Sequence, residues 1–204
     1  MAIQSASTSL TRFRVVEQVP KELWPDIPDL LKKYAFRDID DTTDERSFGW
    51  VAFEDMLDTR WTQAPPEKGE FLAFSLRLDT RRVPPAIFKK YFIMAQREEE
   101  QKLKEEGRKY LSRDRKKELK EQVMIRLMAR TLPIPAVFNV AWNISTGIVY
   151  FDSIRAKVLE LFANHFTETF DLHLEPLTPF NLAIRLLDEK TGALLEELEP
   201  TAFA

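Results

Sequence analysis

The sequence contains no cysteine and only two histidines in 204 residues. The first absence excludes disulfides and thiolate metal sites, and it is compatible with a reducing intracellular compartment. The second leaves His165 and His173 as the whole supply of imidazole, and no spacing around them suggests zinc. Five glycines leave little material for phosphate-cradling loops, and no nucleophile elbow or metalloprotease helix is present. No uninterrupted apolar run approaches the ~20 residues needed to span a bilayer. The N-terminal stretch MAIQSASTSLTRFR also lacks the basic-then-apolar layout of a signal peptide. Together these absences predict a soluble, cytoplasmic protein with no membrane partner, no cofactor and weak support for catalysis.

What is present is a folded composition with an uneven charge. Apolar residues make up 44%, enough for one sizeable core or two small lobes sharing one. The chain carries a net charge of −3, yet the segment from Arg81 to Arg130 holds 16 Lys or Arg against 8 Asp or Glu, while the remainder holds 14 against 25. An acidic protein with one strongly basic segment points to charge that serves a particular partner.

Periodicity places the elements. Leu10–Val16 reads as a short strand with Thr11, Phe13 and Val15 on one side. Leu23, Ile27, Leu30, Leu31 and Tyr34 recur at helical spacing, which predicts an amphipathic helix over Lys21–Tyr34, with Pro25 and Pro28 confining its regular part to the later turns. Phe48–Phe53 and Glu70–Leu78 read as strands, the latter alternating Phe71, Ala73, Ser75 and Arg77 against Leu72, Phe74, Leu76 and Leu78; Gln63–Gly69 between them reads as a turn. Pro84 and Pro85 suit the start of a helix running over Ala86–Glu106, with Ile87, Tyr91, Met94 and Leu103 spaced for one buried stripe. Gly107 interrupts it. Ser112 is placed to cap a second helix, Arg113–Arg130, in which Leu119, Val123 and Leu127, flanked by Met124 and Met128, form an apolar face.

After Pro133 and Pro135, Val137–Trp142 and Ile148–Phe151 form a hairpin around Asn143, Ser145 and Gly147. Asp152 or Ser153 is positioned to cap a helix with the stripe Ile154, Val158, Leu161, Phe162 and His165. Phe170, Leu172 and Leu174 alternate as a strand ended by Pro176, and Phe180–Leu187 and Gly192–Leu198 are weakly helical. The order β-α-β-β, basic helical hairpin, β-β-α-β predicts an α+β protein built from antiparallel sheet units, divided into an N-terminal lobe (1–80), the hairpin (81–132) and a C-terminal lobe with a tail (133–204).

Two charged clusters carry chemical hypotheses. Asp38, Asp40, Asp41, Asp44 and Glu45 could gather around a hard cation, and a metal-dependent nuclease would use Asp40, Asp41, Asp44 or Glu45. A solvated acidic loop explains the same run, and neither a calcium-loop spacing nor a second catalytic element accompanies it. In the basic segment, i,i+4 pairs such as Lys102 with Glu98 and Glu106, and Lys117 with Glu121, account for part of the charge as a self-paired helix surface. They leave a surplus at Arg108, Lys109, Arg113, Arg115, Lys116, Lys117 and Lys120. Phosphates of nucleic acid suit such a surplus, whatever the base sequence, and no recognition-helix signature accompanies it. An acidic protein partner is the third reading. His165, on an apolar stripe, reads as a structural imidazole, and His173 as an outward side chain.

The run RRVPPAIFKKYF, then GRKYLSRDRKKELKEQV, IRLMARTL and AWNISTGIVYFDSIRAKVLE, with GWV at Gly49–Val51, resembles the bacterial recombination-associated RdgC family over roughly Leu10–Phe180. The chain differs in having Ala129 before Arg130 where the family carries proline, and it reads as a short, C-terminally truncated member. The resemblance implies a nucleoid-associated, sequence-independent binder of double-stranded DNA that forms a homodimeric ring or clamp and restrains RecA-dependent recombination, with RecA an indirect partner. The family's exonuclease label has no catalytic motif here to support it. By matching position, the resemblance assigns phosphate contact to Arg108, Lys109, Lys116, Lys117, Lys120 and Arg130, and a basic site before the helix to Arg81 and Arg82.

Overall fold

The structure, a computed structural model, describes residues 9–105, 110–187 and 189–196. Its elements run β1 (Thr11–Val15), α1 (Leu23–Lys33), β2 (Arg46–Ala52), β3 (Glu67–Lys68), β4 (Phe71–Thr80), α2 (Pro85–Glu105), α3 (Arg113–Met128), β5 (Ile134–Asn143), β6 (Ile148–Phe151), α4 (Ala156–Phe170), β7 (Leu174–Pro176), α5 (Pro179–Leu186) and α6 (Glu189–Glu196). The protein is α+β, as its element order predicts. The strands form one seven-stranded sheet in the order β2-β4-β5-β6-β1-β7, with β3 paired to β4.

The expected three-part division does not describe the compact units. β1 pairs antiparallel with both β6 and β7, placing Thr11 opposite Phe151 and Val15 opposite Leu174. The N-terminal strand is thereby sewn into the C-terminal half. One unit comprises 1–35, 50–76 and 138–204, and the other 36–49 and 77–137.

The first unit is organised by aromatic burial. Trp50, Phe74, Trp142, Phe151, Phe162 and Phe166 are fully buried, and the Phe162 ring stacks on Phe151 with centroids 3.9 Å apart. Each such ring removes a large apolar area from water, and offset or tilted neighbours add to that gain. Trp50 Nε1 donates to Thr169 Oγ1 at 2.8 Å, and that hydroxyl donates in turn to the carbonyl of His165 at 2.7 Å. The polar edge of a buried indole is thus satisfied from one turn of α4.

Several local expectations shift. Regular helix α1 includes Pro25, in the first turn where its missing donor would be unpaired anyway, and Pro28 in its interior, where one main-chain bond is lost. The segment expected as a turn contains the two-residue strand β3. β4 is buried on both faces. Ser75 Oγ donates to Asn139 Oδ1 at 2.9 Å, and in the second unit Arg77 pairs with Asp79 at 2.7 Å, so polar residues that alternate along this strand do not mark a solvent face. Helix α4 begins at Ala156 with Arg155 as its cap residue; Ser153 Oγ accepts from Arg155 N but Ile154 lies outside the stripe, exposed. Phe170 is the last residue of α4, and Asp171 reverses the chain in a left-handed conformation, φ 56°. The weakly helical tail is α5, capped by Thr178 Oγ1, and α6; Leu198 lies outside the described residues.

His165 is buried in the first unit, with its ring 4.6 Å from that of Trp50 and edge-on to Tyr34. Burial pushes its pKa below the ordinary imidazole value, against a weaker opposing pull from Glu168. Above about pH 6.5 neither the folded nor the unfolded ring is protonated, and no stability is at stake. Below that, the unfolded chain takes up a proton that the buried ring refuses, so stability declines as pH falls towards the folded pKa. Urea unfolding at pH 7.5 and 5.5 should show this loss, and His165→Gln should reduce it; an unchanged pH dependence in the variant contradicts the assignment. His173 is exposed as expected, its Nδ1 2.6 Å from Glu17 Oε1.

Candidate nucleic-acid interface

The second unit contains the basic helical pair. Its core consists of Ala95 from α2 with Leu119, Val123 and Leu127 from α3, and Val83, Phe88 and Phe92 pack against it. α3 starts where expected: Ser112 is extended, and its Oγ accepts from Arg115 N at 3.2 Å. At the other end Thr131 Oγ1 donates to the carbonyl of Leu127 at 2.8 Å, and Pro133 follows.

The apolar face of α3 matches the sequence expectation at Leu119, Val123, Leu127 and Met128, while Met124 is exposed, and the face of α2 does not match. Ile87, Tyr91 and Met94 remain 44%, 37% and 46% exposed, Leu103 is half-buried, and the inward positions are Phe88, Phe92 and Ala95. Apolar residues occur on several sides of α2, so periodicity cannot choose among them; the partner helix does. Leu119→Ala should destabilise the protein by about 2–5 kcal/mol, whereas Ile87→Ala should stay within about 0.5 kcal/mol. Urea titration of both variants checks this, and equal losses would contradict the assignment of the stripe.

The charges sort differently from the expectation. Among the described residues, Lys102 forms no ion pair with Glu98, and Lys117 forms none with Glu121. Instead Glu99 of α2 reaches Arg115 of α3 at 2.7 Å, and Arg115 also meets Glu118 at 3.0 Å. Hydrogen bonding to Arg115 holds the Glu99 carboxyl below its usual range, and the same bond raises the guanidinium. Arg115 therefore leaves the unpaired surplus and becomes a strut between helices. Arg108 and Lys109, with the Gly107 turn, lie outside the described residues.

Arg81 also changes role. It is 5% exposed, and its guanidinium donates to main-chain carbonyls, so it does not face a phosphate. Arg82 and Arg130 are exposed. The remaining four candidates come together: Arg113, Lys116, Lys117 and Lys120 are exposed and, with Asp114, line one open groove of about 370 Å³. Their spacing of i, i+3, i+4 and i+7 puts them on one face of α3. No ion pair joins these four to a carboxylate among the described residues. Lys120 Nζ lies 5.6 Å from the centroid of the Phe92 ring, a cation–π contact that seats its stem without neutralising it. The sequence reading did not single out Phe92, whose only signal was an aromatic on the helix preceding a lysine row.

The acidic run forms no comparable site. Asp40, Asp41, Asp44 and Glu45 are exposed, Asp38 Oδ1 accepts from Asp40 N, and Asp44 Oδ2 accepts from Thr42 Oγ1. Among the described residues no group of three or more His, Asp or Glu is placed to hold a metal ion, and no helix is long and apolar enough to cross a membrane.

Fold and groove together define an α+β protein that presents an uncompensated cationic helix face. A family model described as "Putative exonuclease, RdgC" matches residues 9–203, and the chain belongs to the RdgC family. Membership supports a function related to DNA recombination. No curated protein sequence matches the chain.

Proposed function

We propose that this RdgC family member binds double-stranded DNA without sequence preference through the Arg113, Lys116, Lys117 and Lys120 face of α3. The observation that carries the reading is the shared groove of these four exposed cations, which have no carboxylate partner of their own. Holding like charges within two helical turns costs stability in the free protein, and a polyanion that neutralises them offsets that cost. Three of the four are lysines, point charges that suit phosphate oxygens better than planar base edges. The proposed action is binding; Asp114 is the one carboxylate lining the groove, and among the described residues no group of three or more His, Asp or Glu is placed to hold a metal ion. Homodimerisation into a ring or clamp, control of RecA-dependent recombination and residence at the nucleoid belong to the same proposal. Their support is the resemblance of the basic segment and the following hairpin to RdgC.

Fluorescence anisotropy with random-sequence duplexes tests it. Four phosphate contacts per chain predict a slope of log affinity against log salt near about −3.6, or roughly a hundredfold loss between 50 and 200 mM salt. Lys116→Glu, Lys117→Glu and Lys120→Glu together should abolish binding on all sequences alike while the protein still folds, because the three side chains are exposed. Undetectable or salt-insensitive binding by the wild type overturns the reading. Cleavage of the duplex on adding Mg²⁺ would overturn its non-catalytic part.

A further inference from the structure

The most unusual cation in the second unit is the one that cannot reach DNA. Arg81 follows β4 directly, and its backbone N–H donates to the carbonyl of Glu45 at 2.8 Å. Its Nη1 donates to the carbonyls of Met128 at 3.0 Å and Thr131 at 3.1 Å, and its Nη2 to that of Asp40 at 3.0 Å and to that of Ile39. All four acceptors are main-chain oxygens, and among the described residues no carboxylate lies within ion-pair distance of this guanidinium. A buried charge balanced by dipoles alone requires that those dipoles be aimed at it. One of them belongs to Met128, the last residue of α3, where the helix dipole is negative, and Thr131 follows three residues later.

We infer that Arg81 is the positioning residue of the basic face, clamping the C-terminal end of α3 to the Ile39–Asp40 loop and to the exit of β4. The role rests on the DNA-binding reading above. The fork of the guanidinium is what permits it, since Nη1 and Nη2 reach acceptors from two segments at once, whereas an ammonium offers three donors from one nitrogen. The leverage is geometric. The row from Arg113 to Lys120 lies 8 to 15 residues before Met128, about 12–22 Å along the helix axis. A tilt of about 10° at the clamped end would displace the row by about 2–4 Å, comparable to the distance over which a phosphate contact is made or lost.

Arg81→Lys keeps the charge and removes the fork. Two measurements on the folded variant test the role: duplex affinity, and hydrogen exchange at Ala129, Arg130, Thr131 and Thr42, whose amides donate to Ile125, Leu127, Met128 and Ile39. The expected result is that protection falls at least tenfold at both the α3 end and Thr42, and that affinity falls about tenfold. Unchanged protection, or unchanged affinity in a folded variant, overturns the positioning role. Wild-type protein that fails to bind duplex sinks the DNA-binding reading and this role with it, whereas binding by the wild type with equal binding by Arg81→Lys sinks this role alone. If the variant does not fold, the wild type still decides: Ala129 and Thr42 should exchange with a common opening free energy, and distinct values contradict a shared clamp.

Discussion

Like charges three and four residues apart on a helix repel, and α3 carries Arg113, Lys116, Lys117 and Lys120 in that arrangement. The helix tolerates them because Leu119, Val123 and Leu127 are buried against α2 on another side. Short helices draw most of their stability from such tertiary burial rather than from local propensity. The basic face is thus an electrostatic liability held in place by an apolar core, and the rest of the second unit arranges itself around that tension.

Three fates are visible for the cations of this unit. Arg77 is buried with Asp79 at 2.7 Å and lies over the Phe36 ring, so its charge is answered by a carboxylate and an aromatic face. Arg81 is buried among carbonyls, and Arg115 is tied across the helix pair to Glu99. Those three maintain the architecture. The four in the groove have no such occupation, and a partner's charge is the natural complement to theirs. Sorting by compensation, rather than by sequence position, separates cations tied into the fold from those that the DNA-binding proposal assigns to a partner, even within one basic run.

That sorting explains what the sequence could and could not convey. Leu119, Val123 and Leu127 declare their face because they recur at i, i+4 and i+8 in a helix whose first two turns are otherwise polar. Ile87, Tyr91 and Met94 mislead because α2 is also apolar at Phe88, Phe92, Ile93 and Ala95, and only contact with α3 decides between overlapping stripes. The element order and the RdgC resemblance delivered an α+β protein with a basic helical pair. The joining of β1 to β6 and β7 was hidden, since strand pairing over more than 130 residues leaves no local trace. Arg81 was misread for a related reason: its four acceptors lie 41 to 50 residues away in the chain. The acidic run is legible as a loop, in which the carboxylates of Asp38 and Asp44 accept local hydrogen bonds.

The central claim is that the α3 groove, and not the basic segment as a whole, meets DNA. Lysine acetylation followed by mass spectrometry, with and without a random-sequence duplex at low salt, addresses it residue by residue. The account predicts strong protection of Lys116, Lys117 and Lys120 on adding DNA, with Lys21 and Lys33 on the first unit reacting as before. Unaltered reactivity at the three groove lysines under conditions where duplex is bound would contradict it.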